Sequence, residues 1–345
     1  MSYAFNSFIN CPDIQGRLED GYFRGDPTMF QGHINVLRAV TAPFNESGVM
    51  QRQIDTRNGK YRQVEVVYQP RFSVTDVSDS ATLICAGGPT YGETSTVYNI
   101  DPAVGGSFRW SVSLTDLAAR CEADENYIAR MVEKGMSTIK RSMNQEAVAF
   151  LDANFGPLGY GDTTFTTKTK LTNGAFVDDY LSDIMYQYEL AEGWNRPVVV
   201  GGELSRKYMT ALRAHCCATV NVDLQALAGS DAEAYFFFEP TADTVFGAGQ
   251  FAFWAPGAVQ LIRYNEFTNV QGPRGIDDGA IKIGTISDPQ TGLDFDYYAQ
   301  FDCGVWNFQL KLAYKFISMP EDMFLTNDNL SGVNYIFNGV VTNPA

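Results

Sequence analysis

Histidine is almost missing from this chain, because His33 and His215 are the only two among 345 residues. Two imidazoles exclude a metal site built mainly from histidine, and a Ser-His-Asp triad would have to use one of them. His33 lies in a stretch broken by glycine. His215 lies beside Cys216 and Cys217, but a catalytic Cys–His couple needs partners that converge in space, which sequence neighbours rarely do. The sequence therefore offers no credible catalytic nucleophile.

Cysteine and basic residues are also sparse. The 6 cysteines are scattered and form no C-x-x-C pair, which predicts free thiols in a reducing compartment. Lys and Arg number 25 against 40 Asp and Glu, so the formal net charge is −15, and no basic run exceeds a pair. A surface this acidic repels phosphate backbones, which argues against tight nucleic-acid binding by counterion release.

Long apolar runs and cofactor motifs are missing as well. No apolar stretch approaches the roughly 18 residues that a membrane span requires. The start, "MSYAFNSFIN", has neither the charged n-region nor the apolar h-region of a signal peptide. The turn "PVVVGGELSRK" lacks the spacing of a phosphate-binding loop. We therefore expect no membrane segment, no signal peptide, no metal site and no cofactor.

Aromatic residues, in contrast, are abundant, with 24 Phe and 18 Tyr. Residues 1–57 are interrupted by glycine and proline, which predicts an irregular arm. The arm is too rich in aromatic side chains for a disordered tail, so we expect it to lie on another surface. The arm residues predicted to contact other subunits are Tyr3, Phe5, Phe8, Tyr22, Phe23 and Phe30.

Alternating apolar and polar residues follow the arm. "KYRQVEVVYQPRFSVTD" and "GSFRWSVSL" each place apolar side chains on one face, which predicts two strands. We expect them to pair as a long β-hairpin with a wide tip. Such a hairpin is marginal alone in water, so it should rest on a neighbour. Its predicted contact residues are Val64, Val66, Tyr68, Phe72 and Trp110.

A long helix is predicted from Thr115 to Asn154. The segment contains no proline and begins at a good N-cap residue. From Met131 to Leu151 its apolar or small residues recur every four positions, so the stripe winds around the helix. This winding favours a helix that crosses several elements over one that follows a single partner helix. The alternative is two shorter helices with a break near Gly135, because a glycine inside a helix costs stability.

The C-terminal third alternates with period two. The phase of alternation flips after Val305, which predicts two antiparallel strands joined at a bulge or tight turn. Asp294, Asp296 and Asp302 fall on the polar side of the first strand, so we interpret them as solvated. The alternative is that these carboxylates, together with Asp288, perform acid–base chemistry or bind a cation between subunits.

This order of parts resembles the major capsid proteins of tailed bacteriophages, which have the Hong Kong 97 fold. The resemblance is carried by the aromatic arm, the two alternating segments, the long helix and the C-terminal strands, and it covers nearly the whole chain. It implies an α+β fold with five parts: an N-terminal arm (1–57), an extended β-hairpin loop (58–114), a spine helix with peripheral residues (115–196), an axial domain (197–253) and a peripheral sheet with the C terminus (254–345).

The function that this resemblance implies is structural and not enzymatic. Copies of the chain would form hexamers and pentamers of an icosahedral virion shell, assembled in the host cytoplasm around double-stranded DNA that is enclosed without tight sequence-specific binding. Portal, scaffolding or cement proteins would be further partners. The tip from Asp76 to Thr94 contains no lysine, so we expect no Lys–Asn cross-link there. Two alternatives stay open: an encapsulin-type nanocompartment shell, and a soluble cytoplasmic α/β enzyme that uses Asp288, Asp294 and Asp296.

Overall fold

The computed structural model shows a mixed helix and sheet fold in which most strand pairs are antiparallel. It describes residues 11–25, 34–43, 49–54, 62–70, 93–101, 105–113, 115, 124–154, 164–168, 170–172, 175–177, 196–203, 205–206, 235–267, 276–277, 280–320, 323 and 336–342. The helices of this part of the chain are α1 (Cys11–Arg24), α2 (Asn35–Val40), α3 (Asp124–Ala153) and α4 (Ala242–Val245).

The strands in the same residues belong to four sheets. They are β1 (Val49–Ile54), β2 (Arg62–Tyr68), β3 (Thr94–Ile100), β4 (Gly106–Ser113), β5 (Thr164–Lys168), β6 (Lys170–Thr172), β7 (Ala175–Val177), β8 (Val198–Gly201), β9 (Tyr235–Phe238), β10 (Gln250–Trp254), β11 (Val259–Tyr264), β12 (Ile276–Asp277), β13 (Ile281–Ser287), β14 (Asp294–Asp302), β15 (Val305–Ser318) and β16 (Ile336–Thr342).

The N-terminal region is helical where the sequence predicted an irregular arm. α1 buries Cys11, Ile14 and Leu18, which lie on one face of the helix. This face packs against β13 and α3, so the start of the described chain folds onto its own body. The prediction was wrong because Gly16 and Gly21 lower the helix propensity of the segment. Packing of the buried face outweighs that cost.

The two predicted limbs of the hairpin do not pair with each other. β2 lies between β1 and β3 in a three-stranded antiparallel sheet. β4 pairs with β15 instead, which places Trp110 opposite Phe308. Alternation identified both limbs as strands. The choice of partner was wrong because it depends on residues roughly two hundred positions away, which leave no local pattern.

The largest sheet is built around β15. Its order is β11-β15-β14-β13-β12, and β4 also pairs with β15. β14 and β4 pair with the first half of β15, and β11 pairs with the second half. β14 and β15 are joined through Cys303 and Gly304, whose φ angles of 47° and 82° are both positive, as a two-residue hairpin turn requires. The sequence predicted a bulge or a tight turn where the alternation changes phase, and the structure has the turn.

The second large sheet has the order β5-β16-β10-β8-β9. It is mixed, because β16 runs parallel to β5 and β8 runs parallel to β9. β6 and β7 form a separate pair. All four residues of β8 are buried. Within the residues that the structure describes, no helix has the length and apolar character needed to cross a membrane.

The long predicted helix is present as α3, whose 30 residues correspond to about 45 Å at 1.5 Å per residue. Thr115 is also helical, and residues 116–123 lie outside the described part of the chain. α3 continues through Gly135 without a break. It contacts β4, β15, α1, α2 and α4. The prediction of one helix that crosses several elements is confirmed over Asp124–Ala153, and the alternative of two helices is wrong.

Candidate self-association surface

Two glycines let α3 approach the largest sheet closely. A Cβ atom on Gly135 would lie 2.8 Å from the Cδ1 atoms of both Leu310 and Phe108. A Cβ atom on Gly106, in β4, would lie 2.2 Å from Cγ2 of Ile139 in the helix. A carbon atom cannot approach its neighbours this closely without displacing them. Glycine at both positions therefore fixes how closely the helix lies on β4 and β15.

A buried ion pair joins α3 to the turn between β13 and β14. Lys140 Nζ lies 2.9 Å from Asp288 Oδ1, and the two side chains are 1% and 0% exposed. Lys140 also donates to Gln290 Oε1 at 3.0 Å. The second oxygen of Asp288 accepts hydrogen bonds from the backbone N and the hydroxyl of Thr291, at 2.9 and 2.6 Å. Buried charges require such partners, so this network holds the helix against the turn.

Asn144 joins α3 to two further elements. Its Oδ1 accepts hydrogen bonds from the backbone N–H groups of Val36 and Leu37, both at 3.0 Å. These donors lie in the first turn of α2, whose own N-cap residue makes no side-chain cap. Nδ2 of Asn144 donates to Glu239 Oε2 at 3.0 Å, just after β9. One buried amide therefore caps α2 and holds both α2 and the end of β9 against α3.

Asp296 is buried, with 2% of its surface exposed, which corrects the expectation of a solvated side chain. Its two carboxylate oxygens accept the backbone N–H groups of Glu266 and Phe267, at 2.7 and 3.1 Å. Burial raises the pKa of Asp296 to about 6. The prediction failed because the residues that cover Asp296 come from a distant part of the sequence.

The other carboxylates of this region also have roles within the fold. Asp288 binds Lys140, and Asp294 accepts a hydrogen bond from the hydroxyl of Ser287. Asp302 is exposed. Among the described residues, no group of three or more His, Cys, Asp or Glu side chains is placed to hold a metal ion. This arrangement does not favour an enzyme that uses Asp288, Asp294 and Asp296.

Three of the predicted contact residues belong to the chain's own core. Val64, Val66 and Tyr68 lie on one face of β2, a strand that contacts β11, and all three are buried. From the neighbouring strand β1, Gln51 Nε2 donates to the carbonyl of Leu261 at 3.1 Å. The apolar face of β2 is thus covered within the subunit, which corrects the expectation that only a neighbouring copy buries it.

The opposite face of the same sheet exposes apolar side chains among polar ones such as Arg52 and Ser95. We call Met50, Val67 and Val97 the outer face; they come from β1, β2 and β3. Met50 and Val97 are 67% and 47% exposed, and Val67 is half-buried. Met50 lies directly opposite Val67 in the ladder. The sequence did carry a signal for this face, because adjacent Val66 and Val67 in "VEVVY" must point to opposite sides of a strand.

The described aromatic residues of the predicted contact set differ in their environment. Tyr22 and Phe23, at the end of α1, are 38% and 81% exposed, and their ring centroids lie 5.6 Å apart in an edge-to-face arrangement. Trp110 is half-buried and stacks on Phe308 of its own sheet, with centroids 4.9 Å apart. The predicted residues outside the described part of the chain are Tyr3, Phe5, Phe8, Phe30 and Phe72.

The chain was compared with known proteins. No protein-family model and no curated protein matches it. Among solved structures, it is similar to the mature capsid of bacteriophage PhiM1, with 8% identity, a TM-score of 0.39 and coverage of 82% of this chain and 83% of that chain. It is similar to the capsid of cyanophage A-1(L), with 12% identity, a TM-score of 0.43 and coverage of 82% and 88%. It is also similar to the capsid of Myoviridae phage XM1, with 10% identity, a TM-score of 0.43 and coverage of 91% and 95%. All three are phage capsid structures, and the TM-scores are modest.

Proposed function

We propose that this chain is a structural subunit of an icosahedral shell, the major capsid protein of a tailed bacteriophage. The observation that carries the proposal is that Met50 and Val97, two large apolar side chains, are exposed on the outer face of the sheet β1–β2–β3. The inner face of this sheet is covered by the subunit itself through Val64 and Val66. The outer face also carries Arg52 opposite Glu65, so it has the mixed apolar and polar character of a protein interface. In a self-assembling shell, a second copy of the subunit provides the cover.

The order of elements supports the same proposal. An N-terminal region, a β element, a long helix and two large sheets follow one another as the sequence resemblance implies. In this proposal α3 is the spine helix, the sheet around β15 is the peripheral domain and the sheet around β10 is the axial domain. β1 lies before the predicted boundary at residue 57, but we group it with the extended loop because it pairs with β2. Similarly, β4 lies within the predicted loop (58–114) and extends the peripheral sheet.

The buried connections of α3 fit a subunit that must be rigid. Gly135, Lys140 and Asn144 lie on neighbouring turns of the helix and join it to the sheet around β15, to the β13–β14 turn, and to α2 with the end of β9. A shell subunit transmits force from one neighbour to the next. Since discrete buried networks resist sliding better than a uniform apolar contact does, these three connections suit that role.

The net negative charge of the chain is compatible with a shell that encloses DNA. A chain with a net charge of −15 would enclose a double-stranded genome without binding it tightly. Copies of the chain would also repel one another, so salt should favour their association by screening that repulsion. Hexamers and pentamers, a location in the virion capsid and assembly in the host cytoplasm are part of this proposal.

Substitutions on the outer face test the proposal. Met50→Glu should leave the thermal midpoint of the isolated subunit nearly unchanged, because this side chain is 67% exposed and lies opposite the uncharged Val67, but it should prevent the formation of closed shells. Ser111→Glu is a matched control, since Ser111 is exposed on a strand of another sheet. We expect this variant to assemble like the wild type. Normal shells from Met50→Glu in negative-stain images would show that the outer face is not an interface.

The contents of purified particles separate the phage capsid from the encapsulin-type alternative. Particles from phage-producing cells should contain double-stranded DNA and resist nuclease. An encapsulin-type shell would instead contain a protein cargo, which mass spectrometry of the particles would identify.

A further inference from the structure

β14 and β11 meet end to end along one side of β15. β14 pairs with β15 as far as Asp296, which lies opposite Lys311. The pairing of β15 with β11 resumes at Ala313. Where one strand leaves and the other begins, Asn265 Nδ2 donates to the carbonyl of Asp294 at 2.6 Å. Side-chain hydrogen bonds therefore connect the end of β11 to the start of β14. We call this region, residues 265–267 and 294–296, the strand junction.

Asp296 completes the closure of the strand junction. Its carboxylate accepts the N–H groups of Glu266 and Phe267, the residues that follow β11, at 2.7 and 3.1 Å. Lys311 lies opposite Asp296 in the ladder, but its Nζ is 3.3 Å from Glu266 Oε2, so it pairs with that carboxylate. The junction therefore holds a buried carboxylate whose opposite cation is paired with another side chain. Ionisation of such a group is costly.

The charged groups around Asp296 are of both signs. Glu266 follows β11, Lys311 belongs to β15, Asp294 lies two positions away on the same face of β14, and the opposite residue on β13 is the neutral Thr285. Burial raises the pKa of Asp296 to about 6, and the charge of Glu266 adds to this rise. The two backbone hydrogen bonds and the charge of Lys311 lower it, but burial dominates.

We propose that Asp296 acts as a protonation-controlled clasp that tightens the strand junction in mildly acidic solution and weakens it as the side chain ionises. The direction follows from proton linkage. The closed junction favours the neutral carboxyl, whereas an opened junction exposes Asp296 to water and returns its pKa toward the ordinary value of 3.8. Stabilisation of the closed state is complete below the lower pKa and is lost as the pH rises through about 6. The proposal concerns the subunit itself and does not depend on shell assembly.

Hydrogen exchange at the backbone amides of Glu266 and Phe267 tests the clasp in the full chain. Protection factors correct for the intrinsic pH dependence of exchange, and residue-resolved mass spectrometry provides them. Protection in the wild type should be on the order of tenfold higher at pH 5 than at pH 7.5, from the two pKa values above. Asp296→Asn is neutral at both pH values and keeps an acceptor oxygen, so its protection should barely change with pH.

Asp302→Asn is the matched control, because Asp302 is exposed at the other end of β14 and its loss leaves the strand junction intact. Its protection should keep the pH dependence of the wild type. Equal protection of the wild type at both pH values, or a pH dependence that Asp296→Asn retains, would overturn the proposal. If Asp296→Asn does not fold, a carbon NMR titration of the wild-type Asp296 carboxyl decides: a midpoint near 6 supports the clasp, and a midpoint near 3.8 rejects it.

Discussion

Lys140 Nζ and Asp288 Oδ1 lie 2.9 Å apart in a part of the chain where neither side chain reaches solvent. The two residues are 148 positions apart in sequence, and their contact joins α3 to the turn between β13 and β14. Both charges have lost their water, so each depends on the other for compensation. The position of α3 on the sheet therefore rests in part on a contact that no local sequence pattern reveals.

The substitution Lys140→Met should lower the free energy of unfolding by about 3 kcal/mol or more, because Asp288 would stay buried without its cation. Urea denaturation followed by circular dichroism measures the change. Lys134→Met is the control, since Lys134 is exposed on the same helix and its loss should change stability by about 0.5 kcal/mol or less. Equal effects of the two substitutions would contradict the role assigned to the ion pair.

Two glycine-to-alanine substitutions in helices should have opposite effects on stability. Gly135→Ala should destabilise the fold by about 1–2 kcal/mol, since the new methyl group would press on Leu310 and Phe108 and overpacking outweighs the gain in helix propensity. Gly16→Ala should stabilise it by about 0.5–1 kcal/mol, because nothing lies within 4 Å of a Cβ atom at that position in α1. Thermal unfolding of both variants measures the signs. A stabilising Gly135→Ala would show that α3 is not held closely against the sheet.

The two described free thiols should differ in reactivity. Burial raises the pKa of Cys11 to about 12, so this thiol should resist alkylation in the native chain. Cys303 is exposed at the β14–β15 turn and should react. A hydrogen bond with the side chain of Asp302, followed by the charge of that carboxylate, raises the pKa of Cys303. Asp302→Asn should therefore lower this pKa and increase the alkylation rate of Cys303.

Peptide mapping after a short iodoacetamide pulse at pH 8 measures both rates. Labelling of the Cys11 peptide should appear only after denaturation. The Cys303 peptide should be labelled rapidly in the native chain, and Cys303→Ser should remove that labelling. Rapid native labelling of Cys11 would mean that α1 does not pack on the body of the subunit. An unchanged rate for Asp302→Asn would remove Asp302 as the cause of the raised pKa.

Features that depend on neighbouring residues could be predicted from the sequence. The absence of proline and the apolar stripe predicted α3, and the phase change after Val305 predicted the turn at Cys303 and Gly304. Alternation located both β2 and β4. These elements are determined by the period of their side chains, which is a local property.

Features that depend on distant residues could not be predicted in this way. The pairing of β4 with β15 and the burial of Asp296 under Glu266 and Phe267 are set by long-range contacts. α1 was missed because its glycines are poor helix formers, and only its packing on β13 and α3 compensates. The outer face was missed because the alternation of Val64, Val66 and Tyr68 describes only one side of β2, and Val67 lies on the other.

We propose that copies of this chain cover one another's exposed apolar side chains in a closed shell. Negative-stain electron microscopy of the purified full chain, at increasing protein and salt concentration, makes such shells visible. We expect closed particles of uniform diameter that become more abundant with salt, because screening weakens the repulsion between subunits of net charge −15. A chain that stays monomeric at every protein and salt concentration would show that it does not form a shell with copies of itself.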